Sequence, residues 1–270
     1  MWRWGGKLNV SAIDIYPIKS LRGSALRQAL VCAYGLEHDR QWMLVDPESN
    51  MITQRECPLV ATLLPSVEAG GLRIAAPSSE DILVPHDASG WTTAEAVVDV
   101  FGHSYVGVLA VDSVNQALSE ALGVRCRLLS IRADVFRVKS DVAFHDDSPI
   151  LIISESSLEE LNRRLAVPLP MNRFRPNIVV RDAAPFDEDG WQRITIGDAV
   201  FCAVKTCERC VITTVDQAIG VASGPEPLKT LATFRRKGDG VAFGQYYRPE
   251  RPGTTIRLGD GITVLGAKPS

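Results

Sequence analysis

Short apolar and β-branched runs, separated by turn residues, dominate the first third of the chain. They occupy residues 10–15, 29–33, 42–45, 51–53, 60–64 and 72–74. Runs that recur about every ten residues, with Gly, Pro or Asn between them, are typical of a β-rich sheet or barrel. Residues 75–90 are rich in Pro and Ser, which predicts a loop with at most one short edge strand.

Three later segments carry the periodicity of short amphipathic helices. The first, 113–122, opens with a Ser/Gln capping box and is followed by a Gly. The second begins at Ser154 or Ser156, and the third covers 227–237 and ends in a basic turn. Further strands are predicted at 178–180, 194–196, 200–204, 211–215, 255–258 and 262–265.

Many strands, about three helices and no regular βαβ alternation predict an α+β fold. Its sheets or barrels should be mainly antiparallel. The change from strand-rich to mixed sequence predicts two units, a β-rich one at 1–105 and a mixed one at 106–268.

The amino-acid composition excludes several classes of protein. The 270 residues are 46% hydrophobic and 23% charged, which excludes a disordered, collagen-like or disulfide-scaffold chain. A net charge of −3 argues against a broad basic surface for nucleic acid or anionic lipid. No apolar run approaches the roughly 20 residues that span a bilayer, and the first residues lack a secretion signal. The sequence therefore predicts a cytoplasmic protein without a membrane or nucleic-acid partner.

Cys207 and Cys210 form a Cys-Glu-Arg-Cys motif, whose thiols could share a metal or exchange electrons. A structural zinc site usually needs a second ligand pair, which the spacing of the other Cys and His residues does not offer. A thioredoxin-like dithiol should begin a helix, whereas Cys210 precedes the strand-like run 211–215. Two interpretations stay open: half-buried thiols of a strand, or a single soft thiolate ligand to a redox metal, with Arg209 favouring the ionised sulfur.

Basic residues beside turn-forming ones recur in segments 16–20, 39–42 and 172–177. Lys19 and Arg175 each lie near a Pro and a predicted strand, so a fixed loop could present either cation to an anion such as phosphate. Taken singly, each is explained more simply as a surface Lys or a packing Arg. Nucleotide, nicotinamide and serine-hydrolase motifs are absent from the sequence, which disfavours those chemistries.

In combination, seven segments resemble the MOSC family with its N-terminal β-barrel domain, the group that contains the mitochondrial amidoxime reducing component and its bacterial relatives. The segments are 16–20, 35–42, 53–55, 148–149, 174–177, 207–216 and 243–246. They keep their order and cover nearly the whole chain, so the resemblance is much more specific than any one motif.

The resemblance implies a molybdenum cofactor, a phosphate-bearing pterin whose dithiolene holds one molybdenum. It implies that Cys210 supplies the protein's thiolate ligand to the metal, and that the cofactor lies where the two predicted units meet. The residues implied to bind the cofactor are Lys19, Ser20, Arg40, Ser148, Arg175, Asn177 and Arg209. Asp216 is a candidate proton donor for catalysis, although an Asp at that position could instead cap a turn.

The reaction implied by the resemblance is reduction of small N-hydroxylated compounds of the amidoxime or hydroxylamine type. No cysteine follows Cys210, so we expect electrons from a separate protein of the ferredoxin, flavoprotein or cytochrome b5 kind. One alternative is a molybdenum-cofactor or sulfur carrier without substrate turnover, as in the sulfurases of the same family. Another is a β-rich binding module that has lost the cofactor.

Two departures from the family pattern bear on the pocket. Arg173 stands where some relatives have Asn, and residues 217–219 replace a Pro-Asp-Thr turn. Both lie beside the implied site, so they are expected to alter its rim and its choice of substrate.

Overall fold

The computed structural model describes residues 7–77, 80–131 and 143–267. Within these ranges the chain forms three α-helices and many short strands. The helices are α1 (Asp112–Leu122), α2 (Glu155–Asn162) and α3 (Leu228–Phe234). The strands up to α2 are β1 (Asn9–Ile15), β2 (Ser24–Leu26), β3 (Gln28–Cys32), β4 (Gly35–Leu36), β5 (Trp42–Val45), β6 (Leu64–Glu68), β7 (Gly71–Ala75), β8 (Ile82–Pro85), β9 (Trp91–Val100), β10 (His103–Ala110), β11 (Arg127–Ser130) and β12 (Ile150–Ser154).

The later strands complete the sheets. They are β13 (Ile178–Arg181), β14 (Trp191–Ile196), β15 (Ala199–Glu208), β16 (Val215–Asp216), β17 (Val221–Ala222), β18 (Arg236–Lys237), β19 (Gly240–Pro249), β20 (Thr255–Arg257) and β21 (Ile262–Ala267). All strand pairs but one are antiparallel within the described ladders, the exception being β12 with β13, which α2 connects. The predicted α+β class with mainly antiparallel sheets is confirmed.

The largest sheet joins the two ends of the chain. Its order is β2-β1-β13-β12-β19-β15-β14-β21, with β18 added beside β19. The path is open, but an isolated bridge between Asn9 and Gly261 brings its last strand against β1. Side chains such as Ile13, Ile152 and Phe201 fill the enclosed face and are almost completely buried. The first and the last described strands, β1 and β21, therefore belong to one sheet.

A second sheet, β5-β11-β10-β9, holds most of the first half together. Helix α1 packs beside it, with Val114, Leu118 and Leu122 in its core. The boundary predicted at residue 105 falls inside β10, which lies between β9 and β11 in this sheet. Pairing through β11 therefore groups residues up to 130 with the first half.

The helix ends follow the sequence signals in part. Gly123 ends α1 in a left-handed conformation, and the Ser154 hydroxyl caps α2 by accepting from Ser157 N at 3.1 Å. The capping box predicted for α1 is wrong, since the residue before the helix is Val111 and no side chain caps it. The third helix is shorter than predicted because Arg236–Lys237 pairs with β19 as a strand. Among the described residues, no helix combines the length and apolar character needed to cross a membrane.

The strand predicted at 211–215 is also wrong. Val211–Thr214 forms a short 3-10 turn, and only Val215–Asp216 is a strand. The hydroxyl of Thr213 donates to Cys210 O at 2.9 Å and that of Thr214 to Val211 O at 2.8 Å. Such local hydroxyl bonds compete with sheet pairing, so they outweigh the β propensity of the run.

Candidate functional site

A cavity of about 250 Å³ lies between the two halves of the chain. Its walls carry six cationic side chains: Lys19, Arg40, Arg55, Arg175, Lys205 and Arg209. Three carboxylates, those of Asp146, Asp147 and Glu208, partly balance them. The positive excess makes the cavity suited to an anion although the protein as a whole is acidic.

Cys210 presents an exposed thiol to this cavity. It lies at the start of the 3-10 turn, where extended backbone leaves β15. Arg55 Nη2, from the first half of the chain, lies 3.5 Å from Cys210 Sγ. The guanidinium of Arg55 therefore lies within hydrogen-bond distance of the thiol that faces the cavity.

The other thiol of the motif has a different environment. Cys207 is 2% exposed, and its sulfur accepts from Arg209 Nη1 at 2.8 Å. Arg209 Nη2 donates to Phe174 O at 2.6 Å, which fixes the plane of the guanidinium. Its third nitrogen, Nε, is buried without a hydrogen-bond partner in the described structure. Cys207 therefore positions Arg209, and Cys210 is the thiol of the motif that is open to a ligand.

Lys19 is only 3% exposed although it carries a charge. Its ammonium donates to Phe144 O at 2.9 Å and pairs with Asp146. Burial lowers the pKa of Lys19, and Asp146 opposes that shift. Desolvation raises the pKa of Asp146, but the charge and hydrogen bond of Lys19 outweigh it, so this pKa lies below its usual value.

Arg40 and Arg175 both lie against one buried aromatic ring. Their guanidinium carbons lie 4.7 and 4.2 Å from the centroid of Tyr16, whose hydroxyl donates to Pro176 O at 3.0 Å. Arg40 also pairs with the buried Asp39. Arg175 donates to Leu21 O at 2.6 Å, and no carboxylate of the described residues forms an ion pair with it. Burial lowers the pKa of Arg175 to about 10, so it remains a cation at neutral pH.

Four cavity residues have left-handed backbone conformations that non-glycine residues rarely adopt. Their φ angles are 68° at Ser20, 52° at Arg40, 53° at Phe101 and 55° at Arg175. Each costs about 1–3 kcal/mol, which the surrounding structure must offset, and such residues concentrate at ligand sites. The strain supports the assignment of this cavity as the functional site.

Known families match both halves of the chain. The MOSC N-terminal beta barrel domain matches residues 7–125, and the MOSC domain matches residues 139–263. The mitochondrial amidoxime-reducing component 1 of Mus musculus is 35% identical over 281 aligned positions, which cover 95% of this chain and 82% of that protein. The chain belongs to the MOSC family that includes this protein. The family membership predicted from the sequence is thereby confirmed.

Two further proteins are similar to this MOSC chain. The molybdenum cofactor sulfurase of Oryza sativa subsp. japonica is 32% identical over 96% of this chain, which spans only 34% of the sulfurase. A crystal structure of the YUAD protein from Bacillus subtilis matches 95% of this chain and 94% of its own, with 11% identity and a TM-score of 0.43.

The donor set of the MOSC cavity fits a molybdenum cofactor as the family resemblance describes it. Such a group brings a phosphate, polar pterin atoms and a sulfur-bound metal, and the cavity offers excess cations and an exposed thiol. The unpartnered Nε of Arg209 is a donor that a ligand acceptor would satisfy. No cluster of three or more His, Cys, Asp or Glu side chains in the described ranges could hold a metal.

Six of the predicted site residues line this one cavity, namely Lys19, Ser20, Arg40, Arg175, Arg209 and Cys210. Asn177 lies behind it, fully buried, where its Oδ1 accepts from Arg40 Nη1 at 3.3 Å. Ser148 lines an adjoining cavity instead. Asp216 is outside the lining and faces Arg173 at 3.4 Å, so its role as a proton donor stays a prediction.

Several contributors to the site escaped sequence reasoning. Arg55 and Tyr246 belong to segments that carry the family resemblance, but nothing in their own spacing marks them as cavity residues. Asp146 gives no sequence signal, because its importance comes from Lys19, more than a hundred positions away. Arg173 was expected from the sequence to alter the rim of the site, but its contact with the turn was not. It is 2% exposed and donates to Thr213 O at 3.1 Å and Thr214 O at 2.8 Å. It thereby holds the turn that follows Cys210.

Proposed function

We propose that this chain is a molybdenum-cofactor-dependent reductase of N-hydroxylated compounds of the amidoxime or hydroxylamine type. One observation carries the proposal: an exposed thiol, Cys210, opens into a cavity with an excess of cations. The 35% identity to an amidoxime-reducing component over 95% of the chain supports the reaction class.

When bound, the cofactor would supply a molybdenum centre that accepts oxygen from an N–OH group after two-electron reduction. Cys210 would provide the protein's ligand, since a soft thiolate suits a metal that dithiolene sulfur already holds. Arg55 Nη2 would donate to that sulfur, from which it lies 3.5 Å away. The side chains that would bind phosphate and pterin oxygens are Lys19, Ser20, Arg40, Arg175 and Arg209, because charge-assisted donors prefer such acceptors.

Asn177 and Cys207 would act indirectly in this proposal. Asn177 orients Arg40 through its 3.3 Å contact, and Cys207 orients Arg209 through its 2.8 Å contact. The Tyr16 ring holds both cations in place. Leu21 O also fixes Arg175, and the side chains of Asp39 and Asn177 fix Arg40, so the two cations are preorganised for an anion. Ser148 would contact ligands from the adjoining cavity.

Electrons would come from a separate protein of the ferredoxin, flavoprotein or cytochrome b5 kind. The relative from Mus musculus is named mitochondrial, so the cytoplasmic location predicted from the sequence stays a prediction. The division into units at 1–105 and 106–268 likewise stays a proposal.

A second candidate function is a carrier of molybdenum cofactor or sulfur without substrate turnover. The 32% identity to a molybdenum cofactor sulfurase favours it. Both functions need Cys210, but only the reductase consumes N-hydroxylated compounds.

The test is turnover of benzamidoxime by cofactor-loaded protein with a chemically reduced dye as donor. A reductase forms many benzamidine molecules per molybdenum, with formation stopping when the dye is exhausted. Loaded protein that forms no more than one benzamidine per metal would favour the carrier and refute the reductase.

A further inference from the structure

A second cavity of about 390 Å³ adjoins the cationic one. Phe101, Asp146 and Asp147 line both cavities. Half of the other residues that line the second cavity are aromatic, namely Tyr34, His103, Tyr105 and His145. A concave, aromatic-lined space of this volume suits a small planar organic group.

Phe101 occupies an unusual backbone position between the cavities. Val100 pairs directly with His103, so Phe101 and Gly102 alone form the turn between β9 and β10. Their φ angles are 53° and 88°, and Asp99 Oδ1 accepts from Gly102 N at 2.9 Å. Two-residue turns with both φ angles positive strongly favour Asn-Gly, since a bulky side chain strains the first position.

The ring of Phe101 is not buried in a core that would explain this strain. It is 48% exposed, and its centroid lies 5.3 Å from Lys19 Nζ and 5.4 Å from Arg55 Cζ. Both cations line the cofactor cavity, and Arg55 contacts Cys210. The strained turn therefore holds an exposed aromatic face at the edge of the proposed reaction site.

We propose that Phe101 determines substrate specificity by stacking on the planar aromatic group of an N-hydroxylated substrate that extends into the second cavity. This inference rests on the proposed function. The N–OH end would lie in the cationic cavity near Cys210, and the aryl group would lie between Phe101 and the aromatic wall formed by Tyr34 and Tyr105.

The variant Phe101→Asn tests the inference and should leave the fold intact, because Asn tolerates a positive φ angle in this turn. We compare KM for benzamidoxime, which carries a phenyl group, with KM for acetamidoxime, which carries a methyl group. Loss of stacking should raise KM for benzamidoxime about three- to tenfold and change KM for acetamidoxime by less than about twofold. Phe101→Tyr, which keeps the ring, should behave like the wild type, and Phe101→Asn should melt no lower than it.

Equal changes in the two KM values, or none, would overturn the proposal. If wild-type protein reduces neither compound, the proposed function fails, and the cavity is then tested by calorimetric binding of benzamidine and acetamidine. Weaker binding of benzamidine alone by Phe101→Asn would still support the aromatic site. Identical affinities in the wild type and the variant would refute it.

Discussion

At the scale of single residues, a cation that lacks a carboxylate partner is the most informative feature of the site. Arg175 stacks on Tyr16, donates to a backbone carbonyl and adopts a left-handed conformation, yet no ion pair within the described structure neutralises it. Desolvating a charge without a counter-charge costs free energy, so a bound anion would stabilise this arrangement. Sequence reasoning could select Arg175 only through the family resemblance, because a lone Arg beside a Pro has simpler explanations.

Replacing Arg175 with Ala should weaken retention of the cofactor. Loss of one charge-assisted contact typically costs about 1.5–3 kcal/mol, which is roughly a 10- to 150-fold change in affinity. Molybdenum and pterin remaining after extensive dialysis provide the measurement. Arg193→Ala is the matched control, since Arg193 pairs with Glu250 outside the cavity. Equal retention in the two variants would make Arg175 a packing residue.

At the scale of secondary-structure elements, the segment after Cys210 shows where sequence reasoning fails. The β-branched run 211–215 has the propensity of a strand, but Val211–Thr214 forms a turn. Thr hydroxyls donate to nearby carbonyls of the turn. The buried guanidinium of Arg173, about 40 positions earlier in the chain, donates to two further carbonyls of the turn. Strand propensity contains no information about such a distant donor. Helix α1 was predictable because its period and final Gly are local signals.

Replacing Arg173 with Met should loosen the turn that carries Cys210. Two buried carbonyls would lose their charged donor, so the free energy of unfolding should fall by about 1–3 kcal/mol, as measured by urea denaturation. Arg163→Met serves as the control, because Arg163 lies on the surface of α2's end and pairs only with Glu160 among the described residues. An unchanged free energy of unfolding in Arg173→Met would show that the turn does not need the Arg173 guanidinium.

At the scale of the whole molecule, the two halves are interlocked. Strand β1 pairs with β13, β20 pairs with β3, and the cofactor cavity takes side chains from both halves. The apolar runs predicted the class of fold but not these pairings between the two halves. Strands that pair across a long stretch of sequence leave no local pattern. His145 lines the cavity that adjoins the cationic one. Its Nε2 lies 2.5 Å from Tyr34 O, and its Nδ1 is buried without a hydrogen-bond partner in the described structure.

His145 should make the free energy of unfolding depend on pH. Burial lowers the pKa of His145 from 6.5 to about 4, so the imidazole stays neutral in the folded state. The unfolded chain takes up a proton first, and stability present above pH 6.5 is lost as pH falls towards 4. Urea denaturation at pH 7 and pH 5 should differ by on the order of 2 kcal/mol through this group. His145→Gln should reduce that difference, and an unchanged difference would contradict the assignment.

The measurement that tests the central claim most directly is the molybdenum content of protein from a host that makes the cofactor. We expect about one molybdenum per chain in the wild type, since Cys210 is a single soft ligand at a single cavity. Cys210→Ser should lose most of the metal, whereas Cys202→Ser, whose thiol contacts Glu250 away from the cavity, should keep it. Wild-type protein without molybdenum, or full occupancy in Cys210→Ser, would contradict the account.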